Sequence, residues 1–446
     1  KSILLKYNRS SNKFLGIGTA TPAAALDSTK IIRVTGDSGV PTTGTGLELA
    51  YNTTSATAVI KGVVRPSGLW SAMQIEFDTL YLNAGITTAL HIDTSAKIGI
   101  KTLSPGAQFH INGDTNQIQL LVKGHSTQTS RVIETQNSAA AKKFGVDNDG
   151  LQWGVNIKDI VGGRLTGTSA TPVTVADANI RTLYYTPYES DLIALYDTTD
   201  SIWRLFKFTE ASKLLTSTGA ALSADTNYDV FMYISAGALA FDFVAWTDST
   251  TRATALAEQD EIYVKSGALE RRFVGALRTL STTGTHQGET EDTVNNRFLW
   301  NMYNRKERDL YMFEGTASWT YDGTSSRTWR VANANSNNSF SILCGIREDV
   351  ARVVVEAFFQ TPASTGVYGY TGIGANSTTA KSGMTTLGGG VASVVMTGMA
   401  IYQEYPRLGL STYYWLEAAH LGIMTFYGIS DSSAYHQSGI IGKWSC

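Results

Sequence analysis

A chain of 446 residues is long enough for two to four domains, yet only 17% of its side chains are charged, which is low for a soluble protein. A net charge of −2 excludes nucleic acid as a partner, because phosphate binding needs Lys and Arg gathered on one surface. The 42 glycines, with plentiful Thr, Ser and Tyr, favour strands and tight turns over helices.

The first predicted element is a phrase that occurs twice. Leu15-Gly16-Ile17-Gly18-Thr19-Ala20-Thr21-Pro22 is echoed by Ile98-Gly99-Ile100-Lys101-Thr102-Leu103-Ser104-Pro105, about 83 positions on. Recurrence of a whole unit predicts stacked modules that lean on one another for burial. Each copy reads as strand, sharp turn and next strand, since the proline cannot donate to a ladder. Between the copies, Ile31–Val34, Leu47–Tyr51, Ala58–Ile60 and Met73–Phe77 are short apolar or alternating runs separated by turn residues, the rhythm of an all-β domain. Residues 1–112 form this repeat unit, and residues 113–165 a second, incomplete round that turns at Asp147-Asn148-Asp149-Gly150. That cluster lacks the spacing and distal glutamate of a calcium loop, so a hairpin turn is expected.

Residues 166–180 read as a connector opening a central module over 166–309. Its strands are dense, period-two and aromatic on one face: Leu183–Tyr188, Leu192–Tyr196, Trp203–Phe208, Tyr228–Tyr233 and Leu239–Phe243. The mixed-sign run Asn304–Asp309 reads as a solvated linker. From 310 to 446, about eight strands of similar spacing predict a β-sandwich or jelly roll. Cys344 lies in an alternating apolar run and is expected buried, Cys446 exposed or at an interface, and a bridge between them is the minor expectation. Lys1–Lys6 lacks the apolar core of a signal peptide, and the absence of Met suggests numbering that starts inside a longer product whose attachment region precedes it. The longest apolar stretch, Val391–Tyr402, is broken by Ser393, Thr397 and Gly398, which predicts no membrane insertion.

The lines Tyr81-Leu82-Asn83-Ala84-Gly85, Ala89-Leu90-His91-Ile92-Asp93 and Lys97-Ile98-Gly99-Ile100, with Gly46–Tyr51 upstream, resemble those of bacteriophage virion fibres of the tail-fibre, receptor-binding kind. His91 stands where such lines usually carry arginine, and Lys101 replaces the second glycine. Residues 180–305 resemble a module found widely in phage structural proteins, and Gly372–Thr379 resembles the distal domains of fibres. The resemblance implies an elongated, homotrimeric virion fibre with a β-repeat shaft, other virion tail or capsid proteins as partners, and attachment to a host surface glycan or protein. A capsid or head fibre uses the same modules and is the alternative; a polysaccharide-degrading tailspike is a further one.

Catalytic constellations are weak. The six histidines show no metal-ligand spacing, and no nucleophile elbow, phosphate loop or dinucleotide fingerprint occurs. Neither enzyme activity nor a metal or cofactor is expected. Paired carboxylates for glycan cleavage would come from Glu258, Asp260 and Glu261, or from Glu289, Glu291 and Asp292, both in polar, turn-prone sequence. Aromatic side chains, which stack on sugars while keeping a polar tip wet, make binding the better expectation. Tyr368, Tyr370, Tyr413, Trp415, Tyr427, Tyr435 and His436 are the receptor-binding candidates, with part of this set expected in the core.

Overall fold

The computed structural model describes six short strands before residue 79. From there it describes everything except residues 85–86, 114–115, 149, 155–156, 217–220, 283–285, 325–327 and 430–435. The predicted runs at 31–34 and 73–77, the turn after Ile17, and Tyr435 therefore lie outside the described residues. The fold is all-β, and among the described residues no helix is long and apolar enough to cross a membrane. The chain divides into two compact units, Lys1–Leu121 and Val122–Cys446.

In the first unit the repeated phrase recurs as structure. Leu15–Ile17 pairs antiparallel with Leu5–Tyr7 and parallel with Leu26–Ser28; Ile98–Ile100 pairs antiparallel with Thr87–Ile92 and parallel with Phe109–Ile111. The parallel partner begins eleven residues further on in both copies, at Leu26 from Leu15 and at Phe109 from Ile98. Parallel neighbours cannot be joined by a two-residue hairpin, so residues 101–108, between Ile100 and Phe109, form a crossover. Lys101 takes the left-handed conformation, φ 55°, a region that favours glycine. Gly99 has no room for a side chain: a β-carbon there would lie 2.5 Å from the Thr102 carbonyl oxygen. Gly99→Ala is expected to cost about 2 kcal/mol; an urea melt within experimental error of the parent would refute it.

The two histidines of this unit occupy one sheet row. His91 and His110 are the register partners of Gly99 on either side, and His91 is buried beneath Tyr81 with ring centroids 4.7 Å apart.

The second unit holds several sheets. Gln152–Gly154 meets the antiparallel pair Leu192–Asp197 and Ile202–Lys207, and Asn227–Ser235 lies between Ala238–Ala245 and Ala268–Arg278. Ala236 and Gly237 both have positive φ, the geometry of a two-residue hairpin. Asp147 and Gly150 close the expected turn at 3.0 Å, and the Asp147 carboxylate faces Arg204 at 3.4 Å.

The largest sheet curls over itself to make two facing layers. Ser339–Cys344, Gly409–His420 and Tyr368–Ala375 form one; Val395–Glu404, Ala351–Gln360, Gly439–Ser445 and Glu307–Phe313 form the other; Ser382–Gly389 pairs with both. Strict alternation builds the core between them. Ala351, Val353, Val355, Ala357 and Phe359 are buried on one strand, as are Ser411, Tyr413 and Trp415 on the opposing one.

Three expectations need correction. The boundary placed at 309/310 is crossed: Asn296–Arg297 pairs with Ser341–Ile342, and Phe231, Phe273 and Trp300 share one core with Phe340, Leu343 and Trp444. The run Asn304–Asp309 is no solvated linker, because it enters the Glu307–Phe313 strand, Arg308 is buried against Asp292 at 3.1 Å, and Arg305 pairs with Asp349 at 2.7 Å. Cys446 is buried, not exposed, and burial pushes its thiol up to about 12. Cys344 is buried as expected, and both thiols are free.

Candidate binding surface

Strand parity decides which aromatics face outward. On Tyr368–Ala375, Thr371 and Ile373 are fully buried, and a β-carbon on Gly369 would meet Met424 and Phe359. Tyr368 and Tyr370 therefore share the outward face and are half-buried. His420 sits beside Tyr368 in the ladder, and Leu387, 52% exposed, beside Tyr370. Trp329 lies over this face: it meets Tyr370 edge-on at 6.2 Å and fills the space above Gly372. The result is an aromatic patch of Trp329, Tyr370, Tyr368 and His420 on the outside of one layer.

Tyr427 and His436 are on the outside of the other layer. His436 packs between Phe358 at 5.1 Å and Tyr427 at 5.5 Å, while the Tyr427 hydroxyl donates to Gln360 Oε1 at 2.5 Å. Tyr413 and Trp415 belong to neither patch. Both are fully buried, the Tyr413 hydroxyl donating to Glu404 at 2.9 Å and the Trp415 indole to Thr371 at 3.1 Å. They cannot touch a ligand; their polar tips are satisfied inside the core.

Below the first patch lies a buried carboxylate that sequence reasoning did not single out. Glu417 accepts from Trp319 Nε1 at 2.6 Å, Arg330 Nε at 2.8 Å and the Asn333 amide at 3.2 Å, and Arg330 stacks over Tyr321. Burial pushes its carboxyl up to about 7 against the pull of these donors. An isolated Glu in an otherwise small-and-apolar strand, Leu416-Glu417-Ala418-Ala419, is the signal that marks it.

All but Glu258 of the acids considered for glycan cleavage are engaged elsewhere. Asp260 accepts from Trp203 Nε1 at 2.9 Å, Glu261 pairs with Lys158 at 3.2 Å, and Glu258 is exposed. Glu289 meets Arg181 and His286, Glu291 accepts from Asn296 at 2.8 Å, and Asp292 binds Arg297 at 2.8 Å as well as Arg308. Among the described residues no group of His, Cys, Asp and Glu is placed to hold a metal ion.

No protein-family model matches the chain, and no curated protein matches it. Among solved structures it is similar to the insecticidal delta-endotoxin Cry8Ea1 of Bacillus thuringiensis, at 8% identity over 64% of this chain and a TM-score of 0.18. It spans 52% of the length of that endotoxin. It is also similar to the exo-beta-1,3-galactanase Pc1,3Gal43A of Phanerochaete chrysosporium with galactose, at 8% identity over 72% of this chain and 99% of that one, with a TM-score of 0.12. Likenesses this weak carry no argument about fold or function.

Proposed function

We propose that this chain is a bacteriophage virion fibre that attaches the particle to its host by non-covalent, multivalent binding. The observation that carries the reading is the phrase built twice into the same three-strand arrangement with the same eleven-residue step, which is how repeated shaft material is made. A large sandwich follows, with the Trp329, Tyr370, Tyr368 and His420 patch as its host-facing surface for a glycan or protein. Identical partner chains, three in the fibre families the sequence resembles, supply the avidity. Their involvement is supported by the run Ile118-Gln119-Leu120-Leu121-Val122, which lies outside any strand with Ile118 and Leu121 each 76% exposed.

Antibodies raised against the full chain should decorate a fibre on intact virions in electron micrographs. Label on the head, not the tail, selects the capsid-fibre form of the reading, and unlabelled particles refute both. Purified full chain should also compete with phage for adsorption to host cells, and Tyr370→Ala should weaken that competition about tenfold. Equal competition by the variant would remove the patch from the proposal.

A further inference from the structure

The outside of the layer opposite the aromatic patch carries an unbroken apolar row. Tyr311, Ile441, Val354, Ile401 and Met384 are register partners on five successive strands. Tyr311, Ile441 and Met384 are 39%, 46% and 67% exposed. Phe313 and Met399 extend the row on one side, both more than a third exposed. A shallow depression of about 400 Å3 between Tyr311, Phe313, Val354 and Ile441 adds relief to the face. Scattered exposed apolar residues are ordinary, but a row crossing five strands is a contact surface.

Charge identifies the occupant. On the central strand Arg352, Val354 and Glu356 all point outward, and Arg352 and Glu356 form no ion pair or side-chain hydrogen bond among the described residues. Four residues of extended chain, about 13 Å, keep the two charges from meeting each other. A two-fold axis through Val354 sets Arg352 of each copy opposite Glu356 of the other and lays apolar row on apolar row, the self-complementarity that an isologous contact requires. Five strands span about 19 Å, and the rows from Arg352 to Phe358 a similar length, giving a plan area on the order of 400 Å2. That is sufficient as the core of an interface to which each partner contributes ~800 Å2, rim included.

We infer that this face binds a second copy of the same chain about a two-fold axis near Val354. The inference rests on the reading that identical chains act together, and it specifies the symmetry of one contact. Arg352 and Glu356 are exposed, so reversing either leaves the core untouched. Sedimentation equilibrium of the full chain should give an even multiple of the 48.2 kDa chain mass, six chains where two three-chain fibres pair through this face. Arg352→Glu and Glu356→Arg should each weaken association at least about tenfold, by placing like charges face to face. The double variant, which restores complementarity, should return to within about threefold of wild type. Ile441→Glu should abolish the contact. A trimer indifferent to both reversals would overturn the two-fold contact and leave the fibre reading intact. A wild-type chain that sediments as a monomer at micromolar concentration would overturn both.

Discussion

The stability of the second unit is expected to fall as pH rises from about 5 to about 8, and Glu417→Gln should remove that component. Glu417 titrates at 4.5 in an unfolded chain and at about 7 in the fold, because burial disfavours the charged carboxylate. Between those values the folded chain holds a proton that the unfolded chain has released. The contribution is therefore complete below 4.5 and lost as pH rises through 7, a change on the order of 2–3 kcal/mol. Other carboxylates act in the opposite sense: Asp200 and Glu314 are lowered, their hydrogen-bond donors prevailing over burial. The informative quantity is hence the difference between wild type and variant, read from urea unfolding at both pH values. The Trp319 indole donates to Glu417, so its fluorescence should move over the same pH range in wild type only. A pH-independent difference would remove the titration from Glu417.

Arg272→Ala is expected to cost about 3–5 kcal/mol. Arg272 is fully buried in the Ala268–Arg278 strand. It donates to the Lys158 carbonyl at 2.6 Å and the Ala194 carbonyl at 2.9 Å, and to the Tyr303 hydroxyl at 3.1 Å, while its guanidinium lies over Trp203 and Tyr303. One side chain thus joins segments that the sequence holds far apart. Truncation leaves a void and takes the donor from the buried Ala194 carbonyl and from the part-buried Lys158 carbonyl. Chemical denaturation checks the value; a loss below about 1 kcal/mol would mean that water takes over these partners.

Short alternating runs, turn clusters and the doubled phrase identify the strands and the repeat because those signals are local. Parity is equally legible: Tyr413 and Trp415 lie two apart and must share a face, as must Tyr368 and Tyr370. Which face is covered depends on strands paired through distant sequence, and nothing near Trp415 announces that it will share a core with Val355 and Phe340. The same limit applies to Arg308, whose charged neighbours suggest solvent until Asp292 arrives from another strand. Trp329 belongs to the aromatic patch only because its loop folds over Gly372.

The core shared across residue 309 has a practical consequence for dividing the chain. A chimera cut between Asp309 and Leu310 would sever the pairing of Asn296–Arg297 with Ser341–Ile342 and leave Trp300 to pack against a foreign surface. A cut that keeps this core whole falls before Val122, where the chain passes from one unit to the next.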